Sequence, residues 1–257
     1  MKRITGNPMK PLLISFLLFS CSFSQAQDIN AMLAEAVKLE ARPDESAAFE
    51  KFKVVLKYDP TNMKALVHSS ELCSRIGNRQ KDPKVRDNYY AAAVGYAQKA
   101  IRLNPRSDEA NVALAIAVGR TVLVKSGKEK IAAVKDIRRY AETALKINPS
   151  NFKAWHIIGK WHYEVSNLNM MEKAAIKLFY GGVPESSLSS SIAAYEKAKS
   201  LKDGFLLNYL ELAKAYKRNG EKQKAIAHLK YLLPLPVQTE DDPRIKKEAR
   251  ELLRDWN

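Results

Sequence analysis

Three prolines interrupt the chain at nearly equal spacing, and they constrain its fold more than any other feature. Pro60, Pro105 and Pro149 lie 45 and 44 residues apart, and an Asn or Asp precedes each one at the end of an amphipathic segment. Proline cannot continue a helix, because its ring clashes with the preceding turn and its nitrogen carries no hydrogen to donate. A helix break that recurs at a fixed interval predicts a helical repeat.

The sequence upstream of each proline repeats as well. Small or medium apolar side chains stand at fixed offsets, which lets two helices approach closely. They are Ala48, Phe52 and Val55 in the first segment, Ala93, Ala97 and Ala100 in the second, and Ile137, Ala141 and Ala144 in the third. Apolar residues recur at helical spacing from residue 29 to residue 256, and alternating β-branched runs bounded by hairpin turns are lacking. The predicted fold class is therefore all-α.

This pattern resembles the tetratricopeptide repeat, a helix-turn-helix unit with small, aromatic, alanine and proline residues at set positions. The first helices that match it best start near Trp155 and Tyr209. The resemblance implies an α-solenoid of about five helix pairs, with longer helices or inserts because the plain repeat has only about 34 residues. An apolar stripe from Ile245 to Trp256 with basic residues opposite predicts a C-terminal capping helix.

A narrower resemblance is to the regulator of microtubule dynamics family, a tetratricopeptide-like all-α group. It is carried by Gly159–Val165, Gly181–Pro184 and Ala198–Phe205, and it extends over residues 60–240. The resemblance implies the fold and brings no catalytic residues with it. Because an exported chain meets no microtubules, the activity in the family's name is not carried over to this protein.

The first 26 residues are predicted to be a secretory signal peptide, and residues 27–257 form the helical repeat domain. A basic stretch over residues 2–10 precedes the short apolar run Leu12–Phe19 and the small-x-small cleavage site Ser24–Ala26. The apolar run is shorter than the ~20 residues of a membrane-spanning helix. We therefore expect export to the periplasm or the cell envelope, without a transmembrane span in the mature chain.

An alternative interpretation takes Leu18–Cys21 as a lipobox, which would leave Cys21 lipidated at the new N-terminus. Either cut removes three basic residues from a chain whose net charge is +15, so the mature chain stays strongly basic. A basic surface favours anionic partners. We expect an acidic protein or peptide, with an anionic lipid as the alternative, and exclude nucleic acid because an exported chain rarely meets it.

The sequence gives no indication of catalysis. His68, His156, His162 and His228 lack the His-Glu-x-x-His spacing of zinc enzymes, and Ser186–Ser191 has no Gly-x-Ser-x-Gly context and is interpreted as a helix-start linker. Two cysteines cannot form a four-ligand zinc site. The chain is therefore predicted not to be an enzyme and to need no metal or cofactor.

The binding surface is predicted from repeat geometry. The first helix of each unit lines the concave face of such a solenoid, and residues three or four apart share one helix face. The predicted partner-binding groove contains Lys64, Arg75, Arg120, Lys153, His156, Lys160, Tyr163, Lys214 and Lys217. A basic groove of this kind suits an extended acidic peptide. Reversing Lys160 and Lys214 to Glu is predicted to weaken binding without unfolding the chain, because changes of exposed charges usually cost under ~0.5 kcal/mol.

An apolar insert interrupts the fourth unit. Leu168, Met171, Leu178 and Phe179 share one face of a short predicted helix that ends at Gly181–Pro184. Two interpretations stay open: an extra helix packed over the fourth unit, or a wall for an apolar ligand in the superhelix. The predicted function is accordingly an exported scaffold for protein-protein interaction through a basic concave groove, with binding of an anionic lipid or other amphiphile as the alternative.

Overall fold

The computed structural model describes residues 28–122 and 125–256. Within these ranges the chain is helical and has no strand, which confirms the all-α class. The helices are α1 (28–40), α2 (Glu45–Tyr58), α3 (Met63–Arg79), α4 (Pro83–Leu103), α5 (Asp108–Thr121), α6 (Gly127–Ile147), α7 (Phe152–Ser166), α8 (Met170–Tyr180), α9 (Leu188–Leu201), α10 (Leu206–Arg218), α11 (Lys222–Leu232) and α12 (Asp242–Trp256). The predicted signal segment 1–26, with Cys21, lies outside the described residues.

The helices pack as five pairs followed by a terminal helix. α3 packs on α4, α5 on α6, α7 on α9 and α10 on α11, and Ala36 of α1 shares a core cluster with Phe49 and Phe52 of α2. The first helices α3, α5, α7 and α10 also contact one another in order, and α12 packs on α10 and α11. The predicted α-solenoid with one inserted helix, α8, and a C-terminal cap is confirmed. None of the described helices is long and apolar enough to cross a bilayer.

The repeated prolines sit in turns of one kind. The side chains of Asp59, Asn104 and Asn148 each accept a hydrogen bond from the backbone N–H two residues later, at 3.1, 3.0 and 3.0 Å. This is the hydrogen bond by which Asn and Asp favour turns over helix interiors. The next helix then starts at an N-cap side chain that accepts from the third N–H beyond it; these caps are Asn62, Ser107 and Asn151. Each unit boundary is therefore encoded locally.

Small side chains let the two helices of a pair approach closely. The alanines at positions 48, 93, 97, 100, 141 and 144 are fully buried, as the repeat pattern predicts. The approach is closest at Gly159 of α7, where an added Cβ would lie 2.6 to 2.9 Å from ring atoms of Tyr195 in α9. Because Tyr195 is itself fully buried, its ring has no room to move.

The connection between α11 and α12 returns to the N-terminal end of the solenoid. The backbone N–H of Glu45, the first residue of α2, donates to Glu240 Oε1 at 2.7 Å. Arg79, the last residue of α3, pairs through Nη2 with Glu240 Oε2 at 3.0 Å. We call these two contacts the closure contact. The superhelix is thus closed between its first and last units.

We predict that Gly159→Ala lowers the free energy of unfolding by about 1–3 kcal/mol, because the new methyl group overlaps the Tyr195 ring. The matched control is Gly95→Ala in α4, where an added Cβ meets nothing within 4 Å. This control should raise stability by up to about 1 kcal/mol, because alanine is the better helix former. Urea unfolding followed by circular dichroism measures both, and equal stabilities of the two variants would contradict the prediction.

Candidate partner-binding groove

The row of first helices carries ion pairs that join different units of the solenoid. We call the surface lined by α3, α5, α7 and α10 the inner face. Lys153 Nζ of α7 donates to Glu71 Oε1 of α3 at 2.8 Å, and this contact skips the intervening unit. Burial acts to raise the pKa of Glu71, but Lys153 and Arg75 outweigh it, so that the pKa is lowered. Glu71 is therefore an ionised group held under the inner face.

A second carboxylate occupies the same kind of place farther along the groove. Glu211 of α10 accepts from Lys160 Nζ at 2.8 Å and from Lys214 Nζ at 3.0 Å. The two lysines also reach Glu164 at 2.8 Å and Glu248 of α12 at 2.6 Å. Burial acts to lower the pKa of Lys160, but Glu211 and Glu164 outweigh it and raise this pKa to about 12. The pairs thus link units four and five to the cap.

The cations and carboxylates of these pairs lie at different depths. The side chains of Lys153 and Lys160 are 38% and 44% exposed, whereas those of Glu71 and Glu211 are only 7% and 8% exposed. A molecule entering the groove meets the ammonium groups first. The sequence analysis placed Glu71 at an inward-facing position of the second unit without giving it a role in the groove. It missed Glu211, although this residue lies three positions before Lys214.

An arginine cluster lies at the other end of the inner face. Arg75 contacts Glu45 through Nε at 2.9 Å and also pairs with Glu40, while Arg120 Nη1 donates to Asn78 Oδ1 at 3.1 Å. Burial acts to lower the pKa of Arg75, but Glu45 and Glu40 raise it above its usual value. Glu40 and Glu45 were missed by the sequence analysis because only the tertiary fold brings the α1–α2 connection beside α3. Arg79 was missed as well, although it lies four residues after Arg75 and therefore on the same helix face.

The remaining predicted groove residues take different places. His156 is partly buried between helices, with Nδ1 3.0 Å from Asn208 Oδ1, and desolvation lowers its pKa. The Tyr163 ring lies 4.3 Å from the guanidinium of Arg218, and Lys217 Nζ lies 5.5 Å from the Trp256 ring of the cap. Lys64 is exposed at the start of α3. Arg75, Arg120, Lys153, Lys160 and Lys214 therefore make polar contacts with other helices, whereas Lys64 and Lys217 lie apart from these pairs.

The apolar insert forms a helix, but this helix is not packed into a core. Leu168 precedes α8, and Met171, Leu178 and Phe179 on it are 84%, 78% and 71% exposed. The neighbour that α8 contacts most is α6, the second helix of unit three. The interpretation as a helix packed over the fourth unit was wrong, because none of its described side chains is buried. Because α6 is a second helix, the contact between α8 and α6 does not bring α8 to the inner face, which is lined by first helices.

The described residues show no constellation of a metal centre. Within 28–122 and 125–256, His, Cys, Asp and Glu side chains do not assemble in a group of three or more that could hold a metal ion. Ser187 serves as the N-cap of α9 and accepts from the N–H of Ser190 at 3.0 Å, which agrees with the interpretation of Ser186–Ser191 as a helix-start linker. Cys73 is buried, and burial raises the pKa of its thiol to about 12.

We predict that Glu40 contributes to acid stability. Burial acts to raise its pKa, but His68, at 2.6 Å, and Arg75 outweigh it and lower this pKa to about 2, against 4.5 ordinarily. The contribution is complete above pH 4.5 and is lost as the pH falls toward 2. Between these values Glu40→Gln should flatten the pH dependence of the unfolding free energy by up to about 1.4 kcal/mol per pH unit.

Urea unfolding of Glu40→Gln and wild type across this pH range measures the difference. The matched control is Glu109→Gln, which changes an exposed carboxylate in the first turn of α5. Parallel stability curves for Glu40→Gln and wild type would refute the role of Glu40.

Comparison with solved structures supports the fold. The thermophilic TPR protein TTC0263 of Thermus thermophilus matches with a TM-score of 0.65 and 16% identity, over 88% of this chain and 99% of that chain. PilW, described as a widely conserved type IV pilus biogenesis factor, matches with a TM-score of 0.54 and 17% identity, over 90% of each chain. At these identities the likeness establishes a tetratricopeptide-like scaffold.

Comparison of sequences gives the family. Regulator of microtubule dynamics protein 1 of Bos taurus is 28% identical over 64% of this chain and 52% of its own length. The Caenorhabditis elegans protein of that name is 27% identical over 62% of this chain and 70% of its own length. The chain spans about half the length of most curated relatives it matches. The profile of the family "Regulator of microtubule dynamics protein 1-3" matches residues 32–257, so the chain belongs to this family.

Proposed function

We propose that this protein is an exported scaffold that binds an extended acidic segment of a partner protein along its inner face. The observation that carries the proposal is the depth difference within the ion pairs, where exposed ammonium groups of Lys153 and Lys160 lie above buried carboxylates. The buried carboxylates orient the lysines, so less side-chain entropy is lost when a ligand binds. Export rests on the sequence pattern of residues 1–26 alone.

The fold and family are consistent with a scaffold that does no chemistry of its own. Solenoids of helix pairs present an extended concave surface, and their ligands are set by side chains on that surface. Side-chain carboxylates of an extended peptide would meet the ammonium groups from the open side of the groove. Such charge complementarity contributes to partner choice and association rate more than to raw affinity.

Charge reversal of the groove lysines does not test ligand binding alone, because it also changes the stability of the fold. Because Lys160 and Lys214 both hold buried Glu211, reversing both lysines would leave this carboxylate without a cation. Removing the partner of a buried charge costs about 3–5 kcal/mol, so the earlier expectation of an intact fold no longer applies. A neutral pair, Lys160→Gln with Glu211→Gln, removes the exposed ammonium without stranding a buried charge.

We predict that Lys160→Gln/Glu211→Gln weakens binding of an acidic probe about tenfold, which corresponds to about 1.4 kcal/mol. The probe is a fluorescent synthetic peptide of alternating Glu and Ser, and anisotropy titration at low and high salt gives its Kd. The matched control, Lys53→Gln/Glu50→Gln, removes an exposed pair from α2 and should leave the Kd unchanged. Equal Kd values for the two double variants would overturn the proposal.

An anionic amphiphile is the second candidate ligand. The observation in its favour is the exposed apolar face of α8, where Met170 and Met171 are 87% and 84% exposed beside Lys173. The same proteins are therefore mixed with vesicles of phosphatidylglycerol and phosphatidylcholine. Vesicle binding that is lost in Met170→Ser/Met171→Ser, without binding of the acidic peptide, would favour the amphiphile. Cell fractionation of the full-length chain tests export directly.

A further inference from the structure

The segment that makes the closure contact brings two adjacent acidic residues, Glu240 and Asp241, to the arginine end of the inner face. Glu240 bridges the backbone N–H of Glu45 and Arg79 Nη2, at 2.7 and 3.0 Å. Asp241 lies next to it, with Oδ1 3.6 Å from Arg79 Nη1. Its charge also reaches Arg120, where burial lowers the pKa of the guanidinium and Asp241 opposes that shift. Adjacent carboxylates thus enter one end of the predicted groove from the chain itself.

The base of this segment is fixed to the last unit. Gln238 Nε2 donates to the carbonyl of Gly204 at 3.1 Å, and the N–H groups of Gln238 and Thr239 donate to Asp242 Oδ2 at 2.7 and 2.8 Å. These bonds form the start of α12 and involve neither α2 nor α3. The segment can therefore keep its own turn whether or not its two carboxylates contact Arg79.

The pairing on the receiving side is incomplete. Arg79 Nη1 and Asp241 Oδ1 are both buried, yet neither makes a hydrogen bond to any group in the described part of the chain. A buried polar atom that makes no hydrogen bond destabilises the folded state. The side chains of Arg79 and Glu240 stay 22% and 32% exposed. Arg79 Nη2 also pairs with buried Glu45 Oε2 at 2.7 Å, whereas its Nη1 lies 3.6 Å from Asp241 Oδ1, which is too long for a hydrogen bond. The contact with Asp241 is therefore the weakest of the contacts that Arg79 makes with carboxylates.

We propose that Arg79, at the arginine end of the inner face, is the centre of a binding site for paired carboxylates, and that Glu240 and Asp241 are its internal ligand. An acidic segment of a partner binds there by displacing them. The inference rests on the proposed function, since it names the end of the groove where the acidic segment starts. A tethered ligand acts at an effective concentration on the order of millimolar, so it masks the site against weak competitors.

The test uses the chain's own segment as the probe. A fluorescent peptide with the sequence of residues 236–243 is titrated into wild type and into Glu240→Ala/Asp241→Ala. The variant lacks the internal carboxylates, and we expect it to bind the peptide at least tenfold more tightly than wild type. A peptide in which the same Glu and Asp are replaced by Gln and Asn should bind neither protein. Arg79→Gln in the variant background should abolish the gain.

The matched control is Glu251→Ala/Asp255→Ala, which removes two acidic residues from α12 away from the closure contact. Its peptide affinity should equal that of wild type. Equal affinity of wild type and Glu240→Ala/Asp241→Ala, or binding independent of the peptide's carboxylates, would overturn the inference. These outcomes test the inference separately from the proposed function. The proposed function is tested by the affinity of the Glu-Ser peptide for the Lys160→Gln/Glu211→Gln variant.

A second measurement guards against a variant that does not fold. Hydrogen-deuterium exchange of residues 238–246 is followed in wild type while the peptide is added in millimolar excess. Displacement of the internal ligand predicts faster exchange in this stretch, whereas unchanged exchange at saturation would also overturn the inference.

Discussion

Buried carboxylates beneath the inner face connect the units of this solenoid. Glu71 and Glu211 are placed on first helices, and each receives a lysine from another unit. Moving such a charge out of water costs several kcal/mol unless a cation and hydrogen bonds compensate it. The carboxylates therefore hold the lysines in fixed positions and determine which charges face the groove. The proposed recognition of acidic segments depends on this layering.

The same arrangement explains why net charge is an incomplete guide to the groove. The chain has a net charge of +15, but part of its basic excess on the inner face is matched by Glu40, Glu45, Glu71 and Glu211. The charge that a ligand meets in the groove depends on which side chains are exposed, as well as on how many basic and acidic residues there are. At the arginine end the chain supplies acidic residues of its own, and these belong to the last unit.

The repeat units could be predicted because their signals are local. The turns at the unit boundaries are formed by Asp59, Asn104 and Asn148 with residues two positions away. The alanines before each proline recur at a spacing that places them on one helix face. The insert was harder to interpret. Met171 and Leu178 show the apolar periodicity of a packed helix, yet both are largely exposed, because periodicity identifies an amphipathic face and says nothing about what covers it.

By itself the sequence determined the all-α class, the unit boundaries, the terminal cap and the family, because proline breaks, Asx turns and small-residue spacing act within one repeat. Only the tertiary structure decided the partner of each charge on the inner face. The paired charges are 82 positions apart in Glu71 and Lys153 and 51 in Lys160 and Glu211, and Glu240 accepts from the backbone N–H of Glu45, 195 positions away. Such contacts form only when the folded solenoid brings its units together, and no local pattern in the chain identifies the partner of each charge.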